Sequence, residues 1–184
     1  MDLMGNFAKP AKGLIFGLIA TLIFSVPANA QLMESFDGPT METILENAGL
    51  SPDMQIDSKT GAPVAFGKAG DFNFVARAMN CSGIPKSCEE LMFFANFPLG
   101  RPLRVTDLVA VNNYNESQVF GRAYVVRPGA GDGEVGVDYV IELGGGVSRQ
   151  HVEENVARWA DVLTAFIAST VSYTHLTLPT IYSV

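Results

Sequence analysis

Polar and apolar residues alternate over Asp71–Met79 (DFNFVARAM), setting Phe72, Phe74, Ala76 and Ala78 on one face. A period of two predicts a half-buried strand. Glu90–Phe97 (ELMFFANF) has little polarity and predicts a strand placed centrally in its sheet. Glu134–Leu143 alternates again, with Val135, Val137, Tyr139 and Ile141 set against Glu134, Gly136, Asp138, Val140 and Glu142. Joined to a strand over Gln118–Val126 by the reverse turn RPGAGDG (127–133), it predicts a hairpin. A smaller hairpin is predicted between Gln55–Ile56 and Pro63–Phe66, amid the turn-rich SPD, SKTG and GKAG. Helical spacing marks three further segments. Residues 40–48 carry Ile44, Leu45 and Ala48 as an apolar stripe, with Thr40 as a cap and Gly49 as a left-handed stop. Leu32, Met33 and Phe36 extend this helix or pack beside its start. Residues 106–114 are capped by Thr106, with Asp107 in the first turn and Leu108, Val109 and Val111 available for burial. The strongest pattern runs from Ser148 to about Ser169, with Val152, Val156, Trp159, Leu163 and Phe166 recurring at helical spacing. The order helix, strands, helix, two strands, helix predicts an α+β fold: an antiparallel sheet with helices packed on it.

The two ends of the chain read differently. Lys9 and Lys12 precede the apolar run Gly13–Val26, followed by Pro27 and the small-residue triplet Ala28-Asn29-Ala30. This is the three-part plan of a secretory signal peptide over residues 1–30, cut after Ala30. The run is about 14 residues, short of the ~20 that a spanning helix needs, so a retained anchor or a buried helix is the lesser reading. The expected compartment is the periplasm or the exterior. At the other end, residues 171–184 resemble a translated sequencing adapter, with a genuine terminal strand as the alternative. The folded unit expected between them covers residues 31–170.

The chain has 184 residues and a formal net charge of -7. Removing residues 1–30 takes away Lys9, Lys12 and Asp2 and leaves an acidic domain of about -8. Nucleic-acid binding needs a cationic footprint, so that class is excluded. The two cysteines, Cys81 and Cys88, are expected to form a disulfide in an oxidising compartment. Six intervening residues do not match the two of a redox motif.

Catalytic chemistry is sparse. His151 stands in the first turn of the last helix without a partner for a triad or zinc site. Ser148 lacks the glycine-flanked elbow of a hydrolase nucleophile. Gly144–Gly146 follows a strand and precedes a helix, but lacks the Lys-Ser/Thr of a phosphate loop. Asp138 and Glu142 share a strand face some 13 Å apart, too far for paired-acid hydrolysis, and are expected to face solvent. No cofactor and no metal are expected. More suggestive is NNYN at the end of the middle helix. Asn115 there stops the helix, or Asn112, Asn113, Tyr114 and Asn115, with Arg122 on the next strand, form a partner-contacting surface.

The helix ending AGL (48–50), the strand DFNFVARAMNCSG, SCEELMFFANF, the VNNYN helix end, FGRAYV (120–125) and YVIELGGGVSRQHVEENVARWADVLTAF occur in one order and spacing. In these parts, from about Thr40 to Phe166, the chain resembles the YbjN-domain family of bacterial sensory transduction regulators. The resemblance implies a fold like that of type III secretion chaperones and a protein partner bound on a sheet or helix surface, with a homodimer as one arrangement. It implies no catalytic residues. The function expected is a non-enzymatic, exported protein-binding or regulatory module. The alternatives are a small-ligand-binding envelope protein, with a pocket lined by Phe72, Phe74, Phe93 and Phe94, and a hydrolase with an unrecognised site.

Overall fold

The computed structural model describes residues 32–126 and 131–171. The expected signal peptide, most of the RPGAGDG turn and the tail from residue 172 lie outside the described residues. The elements in chain order are β1 (Leu32–Met33), α1 (Gly38–Asn47), β2 (Asp53–Ile56), β3 (Pro63–Ala69), β4 (Phe72–Ser82) and β5 (Ser87–Pro98). There follow α2 (Val105–Ser117), β6 (Arg122–Val126), β7 (Glu134–Glu142), β8 (Val147–Ser148) and α3 (Arg149–Phe166), which continues as a π-helical turn, Ile167–Val171.

Six strands form one antiparallel sheet in the order β2-β3-β4-β5-β7-β6. The nearly continuous apolar β5 lies in the middle of it, as its sequence predicts. Both hairpins are present, in registers such as Gln55↔Val64 and Ala123↔Val137. β1 and β8 form a separate two-stranded ribbon, too short for any periodicity to reveal it.

One face of the sheet carries the core. Ala65, Phe74, Ala76, Ala78, Leu91, Phe93, Ala95, Phe97, Val135, Val137 and Ile141 are buried there. The apolar stripe of α3 covers them. Trp159 stacks on Phe93 at 5.5 Å and meets Phe74 edge-on at 6.0 Å. Phe166, two turns further on, contacts Phe97 and Tyr114, each at 5.6 Å. Aromatic pairs of this kind add about 0.5–1.5 kcal/mol each beyond the area they bury. Met41, Ile44 and Leu45 of α1 complete the same layer.

Several local expectations are corrected. Asp37, not Thr40, caps α1: its carboxylate accepts the Thr40 backbone N–H at 3.0 Å. α2 starts one residue before Thr106, behind Arg104, whose backbone N–H donates to Asp107 at 2.8 Å. Asp107 is more than a dipole partner, because its buried carboxylate takes two bonds from Arg101 at 2.7 and 2.8 Å. Of the α2 residues expected inside, Val111 is buried and Val109 is half exposed. α2 passes Asn115 and ends at Ser117. β6 begins four residues later than Gln118, because Gln118–Gly121 is taken up by a loop. The cap of α3 is as expected, with the Ser148 hydroxyl accepting the His151 N–H at 3.2 Å.

Candidate functional site

Strict alternation puts every second residue of the sheet on the face away from the helices. The registers align these into rows. One row reads Asp53, Phe66, Val75, Phe94, Asp138, Arg122 across β2, β3, β4, β5, β7 and β6. The next reads Gln55, Val64, Arg77, Met92, Val140. The centre of this open face is apolar: Phe66, Val75, Met92 and Phe94 are partly exposed and Val140 is 45% exposed. Arg77 reaches over the Phe94 ring, its guanidinium carbon 5.8 Å from the centroid, leaving a cation above an apolar floor.

The β6 side of the open face is tied down. Arg122 holds Asp138 through two bonds, at 2.5 and 3.2 Å. The pairing raises the pKa of the guanidinium further, chiefly through the hydrogen bond to Asp138. Asp138, expected to face solvent, is 4% exposed, because the Arg122 side chain lies across it. Tyr124 crosses over Gly136 and donates to Asn96 on β5 at 2.5 Å. A Cβ at position 136 would lie 2.6 Å from the tyrosine ring, so this crossing needs glycine. Burial pushes the Tyr124 hydroxyl well above the usual tyrosine range, with Asp138 adding to the effect.

The NNYN segment divides. Asn112 and Asn113 are exposed on α2. Tyr114 is fully buried and lies in the core, not on a surface. Its hydroxyl donates to the Phe120 carbonyl at 3.1 Å, and burial pushes its pKa up to about 12. Asn115 turns its amide onto the backbone of β6, accepting from Ala123 N–H at 2.8 Å and donating to Ala123 C=O at 3.0 Å. Its functional group is thereby engaged in holding α2 to the sheet. Arg122 is exposed but committed to Asp138. The structure therefore does not gather the five residues into one available surface.

A cluster not anticipated from the sequence lies on the helix side. Tyr139 donates to Asn155 at 2.6 Å, and Asn155 in turn donates to the His151 carbonyl at 2.7 Å. Arg158 donates to Asn155 and sets its guanidinium 4.3 Å from the Phe120 ring centroid. Asn155 and Arg158, three apart on one helix, are the only local hint, since the partners come from 16 to 38 positions away. His151 itself is exposed.

Phe72, Phe74, Phe93 and Phe94 do not line one pocket. Neighbours in a strand point to opposite faces, so Phe93 and Phe94 are separated by the sheet. Phe93 and Phe74 are filled against Trp159, and Phe72 packs edge-on to Phe97 at 6.2 Å. Cys81 and Cys88 form the expected disulfide, bridging β4 and β5. The backbone of Cys88 also exchanges two hydrogen bonds with Phe36, at 2.8 and 2.9 Å, stitching the N-terminal segment to the sheet. Among the described residues, no group of three or more His, Cys, Asp or Glu could hold a metal ion. Among the same residues, no helix is long and apolar enough to cross a membrane.

Fold and surface together define a domain of α+β type, with one face of its sheet closed by helices and the other left open among the described residues. The family model described as "Putative bacterial sensory transduction regulator" matches residues 39–169, and the chain belongs to this family, YbjN. Among solved structures it is similar to one titled "Crystal structure of YbjN, a putative transcription regulator from E. coli". That likeness covers 81% of this chain and 99% of that one, at a TM-score of 0.58 and 16% identity, and it concerns the fold. No curated protein matches the chain.

Proposed function

We propose that the chain is an exported, non-enzymatic regulatory module that works by binding another protein, with the open face of its sheet as the contact surface. The observation that carries this reading is the row Phe66, Val75, Phe94, flanked by Met92 and Val140, over which no helix lies among the described residues. An apolar strip rimmed by charges is the usual composition of a protein-binding surface. The disulfide supports a site of action outside the reducing cytoplasm, in the periplasm or beyond it. A type III secretion chaperone-like mode, in which a segment of a partner lies along the sheet, is the finer form of the same proposal.

The test is crosslinking of the tagged full chain in its native compartment, followed by mass spectrometry of crosslinked residues. The reading expects one reproducible partner crosslinked to open-face positions and lost in a Phe94→Glu variant whose melting temperature is unchanged. Crosslinks confined to the exposed face of α2, at Asn112 and Asn113, would move the contact surface there. No partner under any growth or stress condition would overturn protein binding.

A further inference from the structure

The two edges of the six-stranded sheet are treated differently. At the β6 edge, both backbone groups of Ala123 that face away from β7 are occupied by the Asn115 amide. A primary amide offers one donor and one acceptor, as a peptide group does, so Asn115 stands where a neighbouring strand would pair. The β2 edge has no such cover among the described residues. Asp57 N–H donates to Ala62 C=O at 2.9 Å in the same register that pairs Ile56 with Pro63. Antiparallel ladders alternate, so Gln55 and Asp53 also face β3, and Met54 and Ile56 turn their N–H and C=O outward. Ile56 is 66% exposed beside these groups. An unpaired edge with an exposed isoleucine is a template for another strand.

The chemistry of the edge selects its occupant. Asp53 and Asp57 bracket Met54 and Ile56. The Thr60 and Lys59 backbone N–H groups hold the Asp57 carboxyl below the usual carboxylate range, so it stays charged. Glu46 adjoins Asp53 in a shallow concavity of ≈ 510 Å³ that continues the edge past Pro52 and Leu50. A second copy is the poorer match: in the register that opposes Met54 to Ile56 and uses both outward residues, Asp53 falls opposite Asp57 of the second copy twice, and like charges opposed across strands destabilise.

We infer that the β2 edge receives an extended, basic segment of a partner protein by strand addition, with cationic side chains meeting Asp53, Asp57 and Glu46 and an apolar one meeting Ile56. This deepens the protein-binding reading and rests on it, since a strand added here continues the open-face row that begins at Asp53.

The experiment titrates the full chain with a capped peptide of alternating valine and lysine, following amide resonances and hydrogen exchange. Protection of the Met54 and Ile56 amides should rise at least tenfold. The same peptide N-methylated at alternate positions keeps its charge but cannot complete the ladder, and should bind at least tenfold more weakly. On the protein side, Ile56→Pro removes an outward N–H, which edge strands tolerate, together with the exposed isoleucine side chain, and should weaken binding at least tenfold. Asp53→Lys, at an exposed position, gives a second arm should the proline variant fail to fold; it should weaken binding severalfold. Equal binding of the N-methylated peptide, or no protection at Met54 and Ile56, overturns strand addition. A dimer of the free chain that Ile56→Pro abolishes assigns the edge to a second copy and overturns the basic-segment proposal. A cellular partner crosslinked at Phe94 but indifferent to Ile56→Pro overturns the edge while leaving protein binding intact.

Discussion

Gly121 lies where three elements close on one backbone position, and replacing it with alanine tests how tightly they meet. Its φ is +79°, in the left-handed region that costs an L-residue roughly 1–2 kcal/mol. An added Cβ would also lie 2.6 Å from Val162 Cγ1, 3.0 Å from the Tyr114 hydroxyl and 3.4 Å from Val137 Cγ2. These neighbours belong to α3, α2 and β7, so no single side chain can swing away to make room. Overpacking of this kind costs roughly 1–3 kcal/mol. The total is about 2–5 kcal/mol, a large share of a typical domain's stability. Gly49 supplies the control. It has a φ of +77° but nothing within 4 Å of an added methyl, so Gly49→Ala should cost only the backbone contribution, about 1 kcal/mol. Thermal and urea unfolding followed by circular dichroism should show Gly121→Ala melting about 10 °C low and Gly49→Ala about 3–4 °C low. Equal losses in the two variants would refute the steric argument and leave only the φ effect.

Asp107→Asn should cost about 1.5–3 kcal/mol, the range for hydrogen bonds to a charged group, read from urea midpoints at neutral pH. The Asp107 carboxyl is held below its ordinary pKa, first by the hydrogen bond from Arg101 and also by Arg104 N–H, against the opposing effect of burial. Its contribution is therefore full above the unfolded value near pH 4 and fades as pH falls through the lower folded value, so Asp107→Asn should flatten the acid limb of the stability curve. Reducing the disulfide, or the Cys81→Ser, Cys88→Ser double variant, should cost about 2.5 kcal/mol from loop entropy and raise hydrogen exchange at Phe36, whose partner is Cys88. Trp159 is the single tryptophan and fully buried, so its native emission should be blue-shifted and resist acrylamide quenching. Its indole N–H meets no hydrogen-bond partner among the described residues, so Trp159→Phe should destabilise far less than Trp159→Ala, for which about 3–5 kcal/mol is expected.

Period-two and helical patterns made β4, β5, β7 and α3 legible, because in each the buried face alone decides which residues are apolar. The sequence signal failed where a second influence acts. Asp138 obeys the alternation yet is buried, because Arg122 covers it from the neighbouring strand. α2 shows no clean stripe: Val105 is largely and Val109 half exposed while Asp107 is buried, since an ion pair rather than apolar contact fixes its first turn. The asparagines of NNYN look alike in sequence, but only the reach of Asn115 to Ala123, eight residues away, separates a structural amide from its two exposed neighbours. The open face was hidden for a related reason. Phe94 and Met92 fall in an apolar run that shows no alternation, and only the placement of the described helices on one side of the sheet separates them from the residues those helices cover. The two-residue strands β1 and β8 are too short to carry any pattern.

The amide of Asn115 has a bearing on stoichiometry. In polymer chemistry a monomer with two reactive ends grows chains, and one with a single reactive end can only couple once and stop. A β-sheet obeys the same arithmetic, with its edges as the reactive ends. By setting one side chain over Ala123, this domain blunts its β6 end while β2 stays available, so its sheet is biased toward coupling at one end rather than growing from both.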